Sequence, residues 1–381
     1  MREGWCEIKL AQCVNNITKF YEIKTTNYEM AGNYPIVSQS EDLIAGYTDD
    51  DKFVIHLEKP VIVFGDHTRI IKFVDFDFCV GADGVKILSS KDFMSPKYLF
   101  HFLQYKKVPS LGYSRHYKLL KEIDVIYPKS LSIQSKISDE LDMITEMISK
   151  YDEQLKELDK LSQSIFYEMF GDPIENEKGW EVKTLKNISE KITSGNNAKL
   201  AIGTYKSEGI PYFRCQNVWK NRIDFKDMVY IDEETNQKLK SSVLKHNDLL
   251  ITKIGRINTE NSSLGRVSIY KGEDFQANLS GNLCFIRLLD TVNPIFVLNI
   301  MISNYFRDYI RRTTVGGTDK RALKSPQIGR FPIILPPLPL QQSFARKIEA
   351  IEAMKSKVRE AKKVAETLSW LQECSIGLNK L

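Results

Sequence analysis

The sequence predicts a mixed α+β protein with an internal repeat, in which each half consists of a strand-rich globule followed by a long helix. Both halves open with a tryptophan that is followed by apolar residues at matching spacings: Trp5, Leu10, Cys13 and Ile17, then Trp180, Leu185, Ile188 and Ile192. An apolar strand ending at Pro128 or Pro336 precedes each long helix, with Gln134 and Gln342 six residues later. The repeat is longer than the roughly 20–50 residues of a solenoid unit, so it indicates a duplicated domain.

The length and composition of the chain indicate a soluble protein of two or three domains, with 381 residues, 42% hydrophobic and 27% charged. We expect no membrane span, because no run of about 18 apolar residues is present. The first residues lack the apolar core of a signal peptide, which predicts a cytoplasmic location. The six cysteines are scattered and the five histidines are dispersed, so we expect reduced thiols and no metal site.

Charge is distributed unevenly along the chain. Residues 1–128 contain 16 basic and 17 acidic side chains, whereas residues 180–336 contain 24 basic and 15 acidic ones. A basic second globule favours a polyanionic partner such as DNA. The first globule gives no such support, so DNA binding there requires a local basic patch.

The first long helix is predicted over residues 131–171. Its apolar residues alternate in steps of four and three, which is the heptad pattern of a coiled coil: Ile137, Leu141, Ile144, Ile148, Tyr151, Leu155 and Leu158. Gly171 and Pro173 predict the end of the helix, because glycine suits a left-handed cap and proline cannot continue a helix. The helix should form a rod of about 57 Å.

The second long helix is predicted within the distal segment, residues 339–381. Its apolar stripe consists of Phe344, Ile348, Ile351, Val358, Ala365 and Leu368. Lys355 and Lys362 interrupt the stripe at positions where apolar residues are expected. The first helix contains 4 basic and 9 acidic residues between positions 133 and 170, and the second contains 7 basic and 5 acidic residues between 340 and 375. Opposite net charges favour pairing of the two helices with each other.

Two other arrangements of the helices are compatible with this pattern. Each helix could pack on its own globule, or it could pair with a helix of another subunit. A pair formed within one chain, with the globules at opposite ends, must be an antiparallel coiled coil, and it would act as a spacer of fixed length.

Corresponding loops of the two globules carry the residue types that contact DNA. Arg and Lys bind phosphates or the edge of guanine, and small residues let backbone amides approach phosphate. The loops follow an apolar strand that ends near Gly65 or Gly255, or a predicted helix over 95–104 or 294–312. Their recurrence at matching places favours DNA contact over ordinary solvated loops. The candidates in these loops are His67, Thr68, Arg69, Ser114, Arg115, His116 and Lys118 in the first globule, and Lys253, Arg256, Gly317, Thr318, Lys320 and Arg321 in the second. The segment 214–217 adds Arg214, Gln216 and Asn217, because Arg, Gln and Asn can pair bidentately with G and A.

No catalytic motif is found in the sequence. A Walker loop, an HExxH motif and a GxSxG motif are all missing. The segment 293–296, Asn-Pro-Ile-Phe, approaches the Asn-Pro-Pro-Tyr/Phe motif of adenine methyltransferases but lacks its second proline. Asn-Pro before a helix is explained as a cap followed by a first-turn proline. We therefore expect no catalytic residue and no cofactor bound by this chain.

The order of these features, present twice, resembles the specificity subunit of type I restriction-modification systems over essentially the whole chain. The resemblance rests on the tryptophan openings, the strand-glycine-loop segments 61–69 and 249–256, the long helices and the proline-rich stretch 335–342, where Gln341 replaces the usual Glu. It implies four segments: target-recognition domains at 1–130 and 172–338, the latter starting with a linker over 172–179, and coiled-coil helices at 131–171 and 339–381.

The same resemblance implies a non-catalytic chain that binds double-stranded DNA, each domain recognising one half of a bipartite asymmetric site. It implies that the coiled coil sets the spacer and docks two modification subunits, which supply S-adenosylmethionine and adenine-N6 methylation. Restriction subunits would supply translocation and cleavage with ATP and Mg. Two alternatives stay open: a coiled-coil scaffold with two ligand-binding globules and no DNA role, and the specificity component of a type II-like restriction-modification system.

Overall fold

The computed structural model describes residues 3–18, 20–81, 84–112, 114–196, 205–256, 259, 262–314 and 320–373, with side chains up to residue 370. Within them the chain forms two compact units. Unit 1 comprises the residues up to Leu155 and those from Lys357 onward, and unit 2 comprises Lys156–Ser356. Each of the two longest helices contributes to both units, because both boundaries fall inside these helices.

Unit 1 consists of short strands connected by loops and brief helices. In chain order the strands are β1 (Trp5–Lys9), β2 (Val14–Ile17), β3 (Glu22–Ile23), β4 (Tyr34–Val37), β5 (Gly46–Thr48), β6 (Val54–Ile55), β7 (Val61–Gly65), β8 (Ile71–Val74), β9 (Phe78–Gly81), β10 (Val85–Ser90) and β11 (Asp124–Pro128). The helices are α1 (Leu10–Cys13), α2 (Pro96–Tyr105), α3 (Tyr117–Lys121) and α4 (Leu131–Phe170), the last part of which belongs to unit 2.

Unit 2 has the same kind of elements. Its strands are β12 (Glu181–Thr184), β13 (Ser189–Ser194), β14 (Ile210–Phe213), β15 (Val218–Trp219), β16 (Arg222–Ile223), β17 (Val229–Ile231), β18 (Leu249–Thr252), β19 (Ile254–Arg256), β20 (Val267–Ile269), β21 (Asn278–Leu279), β22 (Leu283–Leu288), β23 (Lys320–Ala322) and β24 (Pro332–Leu335). Its helices are α5 (Glu233–Lys238), α6 (Pro294–Met301), α7 (Asn304–Thr313), α8 (Ser325–Gly329) and α9 (Leu338–Glu373), the last part of which belongs to unit 1.

The sheets of the two units share a common core, to which unit 1 adds β3 and β6 and unit 2 adds the pairs β15–β16 and β19–β23. An antiparallel sheet has the order β2-β10-β7-β8 in unit 1 and β13-β22-β18-β20 in unit 2. A second sheet contains one parallel and one antiparallel pair in each unit. In unit 1, β4 pairs in parallel with β9 and antiparallel with β5. In unit 2, β14 pairs in parallel with β21 and antiparallel with β17. The first strand of each unit pairs with the last, β1 with β11 and β12 with β24. In unit 1 these strands include Trp5 and Pro128, whereas in unit 2 Trp180 directly precedes β12 and Pro336 directly follows β24. The predicted α+β fold with an internal repeat is therefore confirmed.

One predicted helix is divided in the structure. The segment expected to be a single helix over 294–312 forms α6 and α7, with a break at Ile302 and Ser303. The Ser303 hydroxyl donates to the carbonyl oxygen of Ile300 at 2.7 Å, which closes α6 before α7 begins. Serine competes for backbone groups in this way, so it favours helix ends over helix interiors.

A buried glutamine connects the long helix to the globule in unit 1. The Nε2 of Gln134 donates to the carbonyl oxygen of Pro128 at 2.8 Å, and its Oε1 accepts from the backbone N–H of Ser95 at 2.7 Å. Ser95 is the N-cap of α2. The side chain therefore satisfies a carbonyl before α4 and a free amide at the start of α2, both of which would be costly to bury unpaired.

Unit 2 repeats this arrangement with Gln341 and not with Gln342, so the predicted correspondence was wrong by one residue. Gln341 Nε2 donates to the carbonyl oxygen of Pro336 at 2.7 Å, and its Oε1 accepts from the N–H of Asn293, the N-cap of α6, at 2.9 Å. Gln341 is buried, whereas Gln342 is exposed. The first half contains one more residue than the second between the proline and the glutamine.

The helices α4 and α9 pack against each other as the predicted antiparallel pair. In unit 2 the ring of Phe344 lies 5.3 Å from that of Phe170, centroid to centroid. In unit 1 the ammonium of Lys362 lies 2.6 Å from the carboxylate of Asp152. Phe344, near the start of α9, thus contacts Phe170 at the end of α4, whereas Lys362, later in α9, contacts Asp152, earlier in α4. The two helices therefore run in opposite directions.

Most of the predicted seam residues are covered. Leu141 is buried and Ile137, Ile144, Ile148, Tyr151, Leu155 and Leu158 are half-buried on α4, and Phe344, Ile348, Ile351, Val358 and Ala365 are buried on α9. Leu368 is 50% exposed, so its assignment to the seam was wrong. In the alignment given by Lys362 and Asp152, Leu368 falls level with Glu146, an exposed polar residue that offers it little apolar cover.

The end of α4 agrees with the sequence prediction. Gly171 follows the helix with φ of +76°, the left-handed conformation that glycine adopts at low cost. The indole N–H of Trp180 donates to the carbonyl oxygen of Phe170 at 2.8 Å, so the tryptophan that opens the second half holds the end of the helix. Helix α9 is described to Glu373, and the predicted tail over 374–381 lies outside the described residues.

Two further expectations can be compared with the described part of the chain. Its cysteines, Cys6, Cys13, Cys79, Cys215 and Cys284, are all free thiols. Among the same residues, no helix combines the length and the apolar character that a membrane crossing requires.

Candidate nucleic-acid interface

Two of the predicted loops of unit 1 lie side by side. The loop after β7 begins at Asp66, which is buried. Its carboxylate accepts from the N–H of Tyr117 at 2.6 Å, and its backbone carbonyl accepts from the N–H of His116 at 2.9 Å. Asp66 therefore ties the loop 66–69 to the segment 114–118, and residues 50 positions apart in the sequence form one surface.

His116 was predicted to contact DNA, but the structure contradicts this, because the side chain is completely buried. Its Nε2 accepts from the N–H of Leu111 at 3.1 Å, which leaves Nδ1 to donate to the carbonyl oxygen of Asp66 at 3.0 Å. Buried polar groups need such partners. The imidazole joins the two loops from inside the protein and has no access to a ligand on their surface.

The other predicted residues of this surface fall into two groups. Thr68, Arg69, Arg115 and Lys118 are exposed, and His67 and Ser114 are half-buried. Arg69 also supports the loop, because its guanidinium donates to the carbonyl oxygen of Val108 at 3.0 Å. Thr68 does the same through its hydroxyl, which donates to the carbonyl oxygen of Gln39 at 2.8 Å.

Two lysines extend this surface beyond the sequence prediction. The ammonium groups of Lys121 and Lys86 lie 5.3 Å and 5.9 Å from the ring centroid of Tyr117. Together with Arg115 and Lys118 they form the basic patch of unit 1. Lys86 lies on β10 and is far from Tyr117 in the sequence, so no local signal could have placed it here. Although the first half is near-neutral as a whole, it therefore places several cations around α3.

In unit 2 two predicted segments come together as a two-stranded ribbon. Strand β19 pairs with β23, with Gly255 opposite Arg321 and Arg256 opposite Lys320. Arg256 and Lys320 are exposed. The predicted residues Gly317 and Thr318 lie outside the described residues.

Two basic residues of this region are held by bonds within the protein. The ammonium of Lys253 donates to the hydroxyl of Ser194 at 2.7 Å and to the carbonyl oxygen of Gly281 at 3.0 Å. Arg321 donates from Nη1 to the carbonyl oxygens of Arg311 and Thr314, each at 3.2 Å. These carbonyls belong to the end of α7, where a cation is favoured. Both side chains are half-buried and support the ribbon.

Among the three predicted residues at 214–217, only Gln216 is exposed. Asn217 is completely buried, so its prediction as a DNA contact was wrong. Its amide accepts from the N–H of Arg214 at 2.9 Å and donates to the carbonyl oxygen of Asp224 at 3.0 Å. Arg214 is half-buried, and its guanidinium contacts the carbonyl of Asp227 and lies 5.8 Å from the ring of Tyr205. The sequence of this segment does not show which of its polar side chains are exposed and which form hydrogen bonds within the turn.

A basic cavity of about 420 Å³ is a feature of unit 2 that the sequence did not indicate. Its walls include Trp219, Lys220, Arg266, Arg307 and Arg311, and the lining residues that the structure describes include no acidic one. The guanidinium of Arg266 lies 3.8 Å from the ring centroid of Trp219. Burial, with a smaller contribution from the neighbouring Arg307, lowers the pKa of Arg266, and Arg311 pairs with the carboxylate of Asp308 at 2.9 Å.

The described residues contain no group of three or more His, Cys, Asp or Glu side chains that could hold a metal ion. The burial of the thiols raises their pKa, to about 12 for Cys13 and to about 11 for Cys79 and Cys284. Thiols in this state are poor nucleophiles at neutral pH. What both units offer is exposed cations, such as Arg115 and Lys118 in unit 1 and Arg256 and Lys320 in unit 2.

Comparison with known proteins identifies the repeat. A family model described as the type I restriction modification DNA specificity domain matches residues 2–159 and 177–366. The specificity subunit of the Escherichia coli type I restriction enzyme EcoR124I/EcoR124II is 23% identical over 373 residues, covering 91% of this chain and 87% of that protein. The specificity subunit of the Methanocaldococcus jannaschii enzyme MjaVIII is 22% identical over 394 residues, covering 95% and 91%.

Among solved structures, the type I restriction-modification S subunit from M. genitalium aligns with a TM-score of 0.62 at 13% sequence identity. The alignment covers 98% of this chain and 96% of that one. At this identity the likeness concerns the fold alone. It extends over both globules and both long helices.

Proposed function

Because the chain belongs to the family of type I restriction modification DNA specificity domains and contains two copies of the domain, we propose that each copy recognises one half of a two-part DNA site. The observation that carries this proposal is the internal repeat, in which a common core supports two different surfaces. The basic patch of unit 1 is built on α3, the residue Arg115 before it and the strand β10, whereas unit 2 presents the ribbon β19–β23 and a basic cavity. Two unlike surfaces suit an asymmetric site.

The paired helices supply the second part of the proposal. We infer that α4 and α9 set the length of the unread spacer between the half-sites. A helix of 40 residues spans about 60 Å at 1.5 Å per residue. The same distance covers about 18 base pairs at 3.4 Å each, so rods of this length suit a site with a gap of several base pairs.

The third part concerns the partners. The frame that the two halves share, namely the paired strands β1–β11 and β12–β24 and the two glutamine contacts, offers two equivalent surfaces. We propose that two modification subunits dock on this frame and that restriction subunits complete the complex. In this proposal S-adenosylmethionine, ATP and Mg belong to the partners, and this chain supplies recognition without catalysis.

Methylation mapping tests the proposed function directly. A host that expresses the cognate modification subunit together with this chain is expected to acquire N6-methyladenine within one bipartite sequence, and the same host without this chain is expected to lack it. Exchange of residues 180–336 for the corresponding segment of a relative should change one half-site and leave the other unchanged. Methylation that persists without the chain, or a site changed in both halves, contradicts the proposal.

The basic patch of unit 1 can be tested through salt dependence. Replacing Arg115 and Lys118 with alanine is expected to weaken DNA binding, and to reduce the slope of log K against log salt by up to about 1.8 if both side chains contact phosphate. Lys150→Ala is the control, because this exposed lysine pairs with Glu146 on α4 and lies outside the patch. Fluorescence anisotropy from 50 to 300 mM salt gives the slopes. Equal slopes in the double variant and the wild type would exclude these two residues as phosphate contacts.

A further inference from the structure

The seam of α9 contains two lysines that face carboxylates on α4. Lys355 is 4% exposed, and its ammonium lies 2.6 Å from Asp159 and 2.8 Å from Glu352. Lys362 is half-buried and lies 2.6 Å from Asp152. Burial alone would lower the pKa of Lys355, but the hydrogen bonds to Asp159 and Glu352 outweigh it and hold that pKa above its ordinary value. Both lysines are therefore charged at neutral pH.

The spacing of these ion pairs fits one alignment of the helices. The lysines are seven residues apart on α9, and their partners Asp152 and Asp159 are seven residues apart on α4. A slip of one heptad in one direction would bring Lys355 level with Phe166. A slip in the other direction would bring Lys362 level with Thr145. Either slip leaves a cation in the seam without its carboxylate, which is costly.

The same lysines oppose pairing between two copies of α9. In a parallel pair of identical helices each residue faces its own copy, so Lys355 would meet Lys355. The other seam residues of α9, from Phe344 to Ala365, are apolar and do not favour α4 over a second α9 as the partner. A polar residue at a single seam position is known to specify register and partner at some cost in stability.

We propose that Lys355 and Lys362, through Asp159 and Asp152, determine the register of α9 against α4 and the choice of α4 over a second α9. These four side chains are positioning residues. Their effect on the spacer length rests on the proposed function, because that function assigns the spacer to the helix pair. The two ion pairs thereby fix which turn of one helix lies beside which turn of the other. A seam made of apolar residues alone would leave several heptad alignments close in energy.

Charge exchange in the full-length chain tests the proposal. Lys355→Asp is expected to lower the thermal unfolding midpoint by roughly 6–15 °C, because it places a buried carboxylate beside Asp159 and Glu352. Adding Asp159→Lys should recover at least half of this loss. Adding Asp152→Lys instead gives a chain of the same composition and net charge with the pairs mismatched, and it should recover nothing.

A milder variant keeps the test decisive if Lys355→Asp fails to fold. Lys355→Met should unfold within about 3 °C of the wild type, since methionine fills the buried space and the carboxylates left behind, Asp159 at 72% and Glu352 at 32% exposure, reach water. Lys355→Met combined with Lys362→Met should raise the self-associated fraction in sedimentation velocity, because the apolar seam of α9 could then pair with a second α9 as well as with α4.

The outcomes separate this proposal from the proposed function. Equal midpoints for the matched and mismatched double variants overturn the role in register, and an unchanged self-associated fraction overturns the role in partner choice. Neither measurement involves DNA, so either failure leaves the recognition of a two-part site intact. Absence of bipartite methylation, with the charge-exchange result as expected, would instead remove the proposed function alone.

Discussion

Replacing Phe344 with alanine is expected to lower the free energy of unfolding of unit 2 by about 3–5 kcal/mol, the usual cost of removing a buried phenylalanine side chain. The ring is completely buried at the start of α9. It lies edge-on to Phe166 and Phe170, at centroid distances of 5.6 Å and 5.3 Å, and 6.4 Å from Phe296 on α6. These four rings join both long helices to the second globule, so the cavity left by alanine would lie where three helices meet.

Urea unfolding followed by tryptophan fluorescence measures this loss. Phe225→Ala is the matched control in the same unit, because its ring is 65% exposed and its removal should cost about 1 kcal/mol or less. Phe344→Leu, which retains most of the apolar volume, should lie between the two. A loss for Phe344→Ala no greater than that for Phe225→Ala would mean that the aromatic cluster does not hold the helices to the globule.

The sequence predicted well those features that depend on local periodicity. The heptad steps of α4 and the glycine at its end are local signals, and both agree with the structure. The repeat was also recognisable, because Trp5 and Trp180 mark the strands β1 and β12, which pair with the strands next to Pro128 and Pro336. Its alignment near the prolines was wrong by one residue, since spacing alone cannot tell Gln341, which is buried, from Gln342, which is exposed.

The candidate site was less predictable because residue type does not determine exposure. His116 and Asn217 were chosen for their hydrogen-bonding groups, and those groups are used inside the protein to hold loops together. Lys86 was missed because its position beside Tyr117 depends on the pairing of distant segments. Burial and long-range contacts decide which polar residue reaches the surface, and neither is encoded in a short motif.

Lys355 and Lys362 also show that residue type does not determine exposure, because here charged residues are covered by the partner helix. In the sequence they interrupt the apolar stripe of α9, which lowers the quality of the predicted seam. In the structure each has a carboxylate of α4 within 2.6 Å. The interruption could be recognised as an ion pair only after the alignment of the helices was known.

The alignment of the helices also allows the proposed ruler to be lengthened without breaking its contacts. Duplicating residues 153–159 in α4 and 356–362 in α9 adds one heptad to each helix at the same level of the pair. Every lysine of the extended seam then faces an aspartate. Because seven residues preserve the heptad phase, the apolar seam stays continuous.

The extended chain is expected to bind the same two half-sites with a longer spacer. Seven residues add about 10.5 Å of helix, which corresponds to about 3 base pairs at 3.4 Å each. Binding to duplexes whose half-sites are separated by every spacing within five base pairs of the original measures the shift, and methylation mapping with the modification subunit checks it. The matched control carries the duplication in α4 alone, which leaves the helices unequal and should weaken binding at all spacings. An extended chain that prefers the original spacing would show that the helix pair does not set the distance between the half-sites.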